Sequence, residues 1–439
     1  MTLNSELAKL ESNLSDCYTS CNNKGATIPQ NQNFDNLSSC IDSITTGGGG
    51  YSGGAYSVKV IDYDGTLLKE DFINTGDTFT LPTPPSHTGF VFQEWSSPVA
   101  VTNNTVTMAD ADIIIGAVYT TASGKSEFDI TLTDNTGLTV TLKMDGNKDW
   151  GDGVTDTNTS HTYAANGDYT IKCDGTTMTT TTTSGLFGQS RSYSITGTNA
   201  NSRTTLAIVN QVPYLKRVRF ATGITIIERM AFCNCFSLEY VTLPKGLLDI
   251  GNGNSRAFAA SSIQAMVIPS TVTNISSRSF EACVGLKYIV IPTGCVIGGD
   301  YAFNSNHSLE YIYIQDMADG SFVGAFMDCP ALKSIRLPNT TTATTLGATT
   351  YGGAFLFCEN LKKIRVPNNI TTISSDSFRY AYSCLEYDFT GFTQVPTLQA
   401  NNVFTGINKA AVIKVPASLE ATWKAAQTWS TYASYIVGV

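Results

Sequence analysis

Histidine is nearly missing from this sequence, and charge is thin. Of 439 residues, three are histidine and 14% are charged. His87, His161 and His307 stand in no GxSxG, HExxH or Cys-His context, and no P-loop or GxGxxG opens a helical stretch. Nucleophile triads, zinc proteases and nucleotide sites therefore lack their usual carriers. The balance of 27 basic against 36 acidic side chains, net −9, makes neither nucleic acid nor an anionic membrane a natural partner. No run approaches 18 apolar residues, so no membrane insertion is expected. The start MTLNSELAKLESNL has neither a basic nor an apolar signal region, and the end WSTYASYIVGV no wall-anchoring tail; the expectation is a chain without export signal or anchor.

Cysteine is present, eleven times, but not as a disulfide framework. Five cysteines recur in or near a repeat, at Cys235, Cys283, Cys329, Cys358 and, three positions late, Cys384. They read as small buried hydrophobes in a reducing cytoplasm. Cys17, Cys21 and Cys40 lack a fourth ligand and a nearby histidine, so no metal and no cofactor is expected.

What is abundant is repetition. From Leu215 to Pro416 the phrase Leu-x-x-Ile/Val-x-Ile/Leu/Val recurs, as LKRVRF, LEYVTLP, IQAMVIP, LKYIVIP, LEYIYI, LKSIRLP, LKKIRVP, LEYDF and AVIKVP. The spacings are 23, 25, 23, 23, 23, 29, 24 and 26 residues. A unit this short cannot bury its own apolar face and must stack on its neighbours, which predicts a solenoid. After the strand comes Phe three residues before a cysteine, in Phe232 with Cys235, Phe280 with Cys283, Phe326 with Cys329 and Phe355 with Cys358, while Phe258, Phe303, Phe378 and Phe404 keep the aromatic without the cysteine. One rigid aromatic per turn at fixed register predicts an internal ladder. The combined phrase, clearest in VIPSTVTNISSRSFEACVGLKYIVIP, resembles the leucine-rich repeats of bacterial surface proteins of the BspA type. That resemblance implies an extracellular recognition scaffold rather than a chemistry.

The rest divides ahead of the solenoid. Leu3, Leu7, Leu10, Leu14, Cys17 and Cys21 fall in a/d register, and Leu37, Ile41 and Ile44 suggest a second short helix, so residues 1–47 read as a helical attachment or oligomerisation segment. Residues 48–54 are a glycine-rich tether. This N-terminal stretch resembles those of phage tail and fibre proteins from gut Firmicutes phages. Residues 55–121 alternate apolar and polar in short runs, and the order strand, Asp-Gly turn, Pro-rich crossover, Gly89-Phe90-x-Phe92-x-x-Trp95 resembles the internalin B-repeat, a β-grasp-like module with Phe92 and Trp95 in its core. Residues 122–184 carry DWGDG at 149–153, HTY at 161–163 and a G-x-Y-x-I strand, and resemble a PKD-type immunoglobulin-like sandwich with Trp150 between its sheets. Asp145, Asp149, Asp152 and Asp156 suggest calcium, but without alternate-residue spacing and a bidentate Glu they read better as turn carboxylates capping amides. Residues 185–439 form the solenoid with its caps: SYSITG and TLAIVNQV before it, and a helical segment bearing Leu419, Trp423, Ala426 and Tyr432 after it. The fold class is mainly β and multidomain.

In a strand the fourth and sixth side chains of the phrase point inward, so the third and fifth face out. Those outward pairs include Arg217/Arg219, Tyr240/Thr242, Ala265/Val267, Tyr288/Val290, Tyr311/Tyr313, Ser334/Arg336, Lys363/Arg365 and Tyr387/Phe389. With rungs about 4.8 Å apart, Tyr240, Tyr288, Tyr311 and Tyr313 would make an exposed aromatic patch bordered by Arg336, Lys363 and Arg365. Amphipathic Tyr and Arg are what binding hot spots favour, against the blander reading of lateral packing on a β-surface. Glu239, Glu310 and Glu386 recur at the second repeat position, which suits a solvated rim better than the facing carboxylates of a glycosidase. Function is expected to be non-enzymatic. The first expectation is a trimeric phage virion protein, a tail fibre or head decoration assembled in the host cytoplasm. It would join other virion proteins through residues 1–47 and bind a host-surface or mucus glycan or protein. The alternative is a bacterial cell-surface adhesin; a glycan-active enzyme comes third.

Overall fold

A computed structural model describes residues 55–133, 138–180, 212–251, 255–298, 300–314, 322–338 and 352–439, with a few shorter pieces between them. Apart from Leu14, the a/d seam, the second short helix and the glycine tether lie outside the described residues, as do Cys17, Cys21 and Cys40.

The first module is two sheets. Strands β1 (Tyr56–Ile61), β2 (Leu67–Ile73), β4 (Phe90–Ser96) and β7 (Ile113–Thr121) make a mixed sheet in the order β2-β1-β7-β4, with β1 and β7 parallel. A smaller sheet joins β3 (Thr78–Thr80), β6 (Thr105–Thr107) and β5 (Val101–Thr102). β7, IIIGAVYTT, is buried along its whole length, which is why it lacks the alternation of a half-exposed strand. Trp95 lies in the core between the sheets with Phe79, Val106 and Tyr119, and Phe92 packs on it at 5.5 Å between ring centroids.

The second module contains β8 (Ser126–Leu132), β10 (Lys148–Asp149), β11 (Thr155–Asp156) and β13 (Gly167–Cys173) in one antiparallel sheet, and β9 (Thr139–Thr141) paired with β12 (Ser160–Thr162). Trp150 is fully buried; its indole donates to Asp156 Oδ1 at 3.0 Å, and Tyr163 donates to its carbonyl at 2.8 Å. Gly151 and Gly153 turn at φ of 83° and 95°, a region that side chains avoid. The aspartates of this loop accept backbone amides: Asp149 from Gly151, Asp152 from Val154, Asp156 from Asn158 and Asp145 from Thr177. They are turn carboxylates.

β8 then does something the sequence conceals. It pairs antiparallel with the first repeat strand, Leu215–Arg219, so one six-stranded sheet runs from the second module into the solenoid. Phe128 and Phe220 share a core at 6.1 Å. The capping role expected of the segments SYSITG and TLAIVNQV therefore falls at least in part to the second module. Those segments do pair, Tyr193–Thr196 with Thr205–Ile208, as an antiparallel hairpin.

The solenoid stacks short parallel strands in two rows. One row sets Tyr240–Thr242 beside Leu215–Arg219, then stacks Ala265–Val267, Tyr288–Val290, Tyr311–Tyr313 and Ser334–Arg336 as a separate ladder, and again runs from Lys363–Arg365 through Glu386–Asp388 to Val412–Val415. The other row holds two- and three-residue strands such as Ile226–Ile227, Asp249–Ile250 and Asn274–Ile275. Both rows are interrupted, among the described residues, within the 29-residue repeat between Leu332 and Leu361.

On the third side the eight phenylalanines stack as the periodicity predicts. Phe232, Phe258, Phe280, Phe303, Phe326, Phe355, Phe378 and Phe404 are fully buried, with neighbouring centroids 5.2–5.7 Å apart. Residues two before and two after several of them are left-handed: Met230 and Asn234, Arg256 and Ala260, Arg278 and Ala282, Tyr301 and Ser305. Each such non-glycine costs about 1–2 kcal/mol, offset by amide ladders between turns such as Phe232 to Ala257 and Phe258 to Ser279. Cys283, Cys329 and Cys358 donate their thiols to the carbonyls of Phe258, Phe303 and Phe326 at 3.1–3.2 Å.

One register read from the sequence is off by a residue. Glu386 and Asp388 pair with Lys363 and Arg365, so they face outward, whereas Tyr387 and Phe389 are fully buried and Leu385 is 49% exposed. Cys384, not Leu385, fills the consensus leucine position, and because strand side chains alternate, a one-residue slip exchanges the two faces. At the far end Glu420–Ala425 and its flanking 3-10 turns close the core: Trp423 and Trp429 are buried 4.6 Å apart, and Trp429 and Tyr432 sit on Phe404. The chain finishes with Ile436–Gly438 as one more parallel rung.

Candidate functional site

The outward strand face is not open over most of its length. β7 of the first module lies across it, and Ile61, Ile114 and Val118 form one buried cluster with Val267 and Val290, flanked by Tyr288 and Tyr311. Glycine makes this approach possible: a Cβ on Gly116 would collide with Val267, and one on Gly65 would lie 2.7 Å from the Ala265 Cβ. Fully burying a Val or Ile is worth roughly 1.5–3 kcal/mol, so an apolar cluster of this size makes the contact structural. Polar bonds ring it. Ser270 N donates to Glu94, Lys245 pairs with Glu94 at 2.9 Å, Thr293 N donates to Ser97 O, and Ser96 Oγ donates to Ile268 O.

The expectation of an exposed tyrosine patch is thus corrected. Tyr240 meets Tyr63 of the module, Tyr288 and Tyr311 flank the apolar cluster, and Tyr313 packs on the module core, its hydroxyl pKa raised by burial. All four are partly buried by a chain segment more than a hundred residues away, which no repeat pattern announces. Arg219 sits where the three units meet. It binds Asp129 with both terminal nitrogens, at 2.8 and 2.7 Å, reaches Glu127 at 3.1 Å and lies 5.9 Å from the Phe90 ring.

The basic border fares differently. Arg336, Lys363 and Arg365 come together with Tyr56, Asp110, Asp112, Ser334, Glu386 and Asp388 around a cleft of about 140 Å³. It opens at the edge of the first module, where the strand row is interrupted. Arg336 Nε donates to Asp110 at 3.2 Å, and the Lys363 ammonium stands 5.3 Å from the Tyr56 ring centroid. Glu386 is paired with Lys414 at 2.7 Å, which raises the lysine pKa. Tyr56, Asp110 and Asp112 were not singled out by sequence reasoning. Their signal was available only in part, as the acidic ADAD run leading into β7.

The three histidines carry no metal-ligating cluster with them; among the described residues no group of His, Cys, Asp and Glu is placed to hold a metal ion. Each instead pairs with one aspartate, His87 with Asp62 and His161 with Asp152 at 2.7 Å, His307 with Asp328 at 2.9 Å. His161 also stacks on Trp150.

Compared with known proteins, residues 210–320, 253–385 and 323–426 match the BspA type Leucine rich repeat region, in six copies. The solenoid is built of BspA-type leucine-rich repeats. The match runs from just before the first strand to the C-terminal helix, and takes in Arg336, Lys363 and Arg365 while leaving out Tyr56, Asp110 and Asp112. A comparison with curated proteins finds no match. Among solved structures, a leucine rich cell surface protein from Faecalibacterium prausnitzii A2-165 is 24% identical over 50% of this chain, with a TM-score of 0.29. A Leucine Rich Repeat protein from T. pallidum is 26% identical, covering 38% of this chain and 74% of that one, with a TM-score of 0.30. The chain spans 62% of the F. prausnitzii protein's length.

Proposed function

We propose that this chain is a non-enzymatic recognition protein of the bacterial cell surface, an adhesin in the broad sense, whose BspA-type solenoid presents the cleft at Arg336, Lys363 and Arg365. The observation that carries this is the division of the strand face. The first module covers the rungs from Tyr240 to Tyr313, and the next rungs open beside it into a cleft lined by both units. A scaffold that buries its long face on its own module and leaves a two-sided cleft at the module's edge suits binding in place.

The repeat match favours the surface adhesin over the virion protein that the sequence placed first. The virion reading drew on residues 1–47, nearly all of which lie outside the described residues, and on an expected lack of export signal; a phage fibre stands second. Among the described residues no helix is long and apolar enough to cross a membrane.

The test is retention of the purified full chain on mucin-coated surfaces and on intact bacterial cells. Ser334→Trp, which fills the cleft, is expected to abolish saturable retention while leaving the melting temperature within a few degrees. Tyr311→Ala with Tyr313→Ala serves as the counterpart. If the double tyrosine variant loses retention and Ser334→Trp keeps it, the cleft is not the working surface.

A further inference from the structure

We infer that the cleft takes an acidic sugar, its carboxylate held between Lys363 and Arg365 and its ring set against Tyr56. This rests on the cleft being the recognition site.

Four carboxylates and three basic side chains line the cleft, so its net charge alone does not say what enters. Their existing partners do. Asp388 Oδ1 accepts from the amide and hydroxyl of Thr390 at 2.8 and 2.7 Å, and Asp112 Oδ1 accepts from Ser57 N at 2.8 Å. Glu386 is held by Lys414, and Asp110 Oδ1 by Arg336. The acids are each engaged by a group other than Lys363 or Arg365.

The two bases are left with weaker company. Among the described residues Lys363 has no carboxylate within ion-pair distance, and its recorded contact is the Tyr56 ring. Arg365 is 52% exposed and lies 3.7 Å from Asp110 and 3.6 Å from Asp388, both beyond hydrogen-bond length. A ligand carboxylate at ordinary charge-assisted distance would be a better acceptor than either, and the planar guanidinium can bind it with two parallel bonds. Lys363 and Arg365 are alternate residues of one strand and face the same way, so a single anion can meet both.

The remaining walls favour a sugar over a peptide end. The second oxygens of Asp112 and Asp388 and the Ser334 hydroxyl offer acceptors for several ligand hydroxyls, and the Tyr56 ring supplies a flat apolar wall. Ala111, Ile335 and Ile364 complete the lining, but all three are buried and offer no deep apolar pocket for a side chain. The acidic rim disfavours a dianion, which limits the ligand to a single negative charge. The small volume admits one ring, so the sugar would enter as a chain end or side branch.

The experiment titrates the full chain with glucuronate, N-acetylneuraminate, glucose and N-acetyl-alanyl-alanine, following binding by calorimetry and ligand-observed NMR. Either acidic sugar should bind at least tenfold more tightly than glucose, and more weakly as salt rises. Lys363→Ala and Arg365→Ala should each weaken that binding about tenfold or more; both side chains are exposed, and unchanged melting confirms the fold. Equal binding of glucose, tighter binding of the dipeptide, or acidic-sugar binding unmoved by Arg365→Ala overturns the inference. Retention on mucin or cells that is lost with Ser334→Trp but indifferent to Arg365→Ala also overturns it, while leaving the cleft as the recognition site.

Discussion

The ring of Tyr63 meets the ring of Tyr240 nearly edge-on, with centroids 5.0 Å apart and planes at 69°. One tyrosine belongs to the first module and the other to the second solenoid rung, so the pair marks where the two share an interior. Burial raises the Tyr63 hydroxyl pKa, and the Tyr240 hydroxyl adds to the effect.

Gly116→Leu tests that interior directly. The side chain has no room against Val267, so the module must lift or the rung must shift, at a cost of about 1–3 kcal/mol. Hydrogen exchange should show lost protection in Ile113–Thr121 and Tyr288–Val290, while strands remote from the contact, such as Glu386–Asp388, keep theirs. Unchanged exchange along Ile113–Thr121 would show that the module does not rest on this face.

The corrected register supplies a second test. Tyr387→Ala removes a fully buried ring and should destabilise by roughly 3–5 kcal/mol, whereas Leu385→Ala, at a half-exposed site, should stay within about 0.5 kcal/mol. Urea melts of the two variants decide it; equal effects would return Leu385 to the core.

The phenylalanine column predicts a local failure. Phe303→Ala opens a cavity between Phe280 and Phe326 and should cost about 3–5 kcal/mol, with exchange rising first in the adjoining repeats. A loss spread evenly from the first module to the C-terminal cap would contradict nearest-neighbour stacking.

Eight cysteines among the described residues are free and buried. Burial pushes the thiols of Cys283, Cys295, Cys329 and Cys384 up to about 12, and raises those of Cys235 and Cys358 well above the ordinary thiol range. Thiolate is the reactive form, so at pH 8 the folded protein should leave these cysteines unlabelled by a thiol reagent. The unfolded protein should label them all without reductant. Rapid labelling of Cys329 or Cys358 in the folded state would place the column nearer the surface than its packing allows.

The solenoid was legible because its signals repeat. Phe280 and Phe303 stand at the same point of successive units, and any reading that aligns the units superposes them. The register of Leu385 was not legible: Cys-Leu-Glu-Tyr-Asp-Phe offers two candidate leucine positions, and only pairing with Lys363–Arg365 separates them. The covered face was the larger miss, because a contact between Gly116 and Val267 has no period. A hint was nevertheless present. Ala265, Val267 and Val290 are small or apolar at outward positions, which is unusual for a wetted strand surface and suits a buried one. The cleft was half legible, since one wall comes from the repeats and the other from a module that carries no repeat.

The interruption of both strand rows beside Ser334 also bears on how the protein takes load. The column from Phe326 to Phe355 crosses the gap at 5.5 Å, and the Lys362 amide still reaches the Lys333 carbonyl, but among the described residues no strand pairing joins the rungs there. A pull along the chain would meet fewer strand-to-strand bonds at this seam than within the blocks on either side, one held by both modules and one by the C-terminal helix. That seam runs through the cleft, so a ligand bridging Tyr56 and Arg365 would act as a clasp across it, and tension and occupancy would oppose each other.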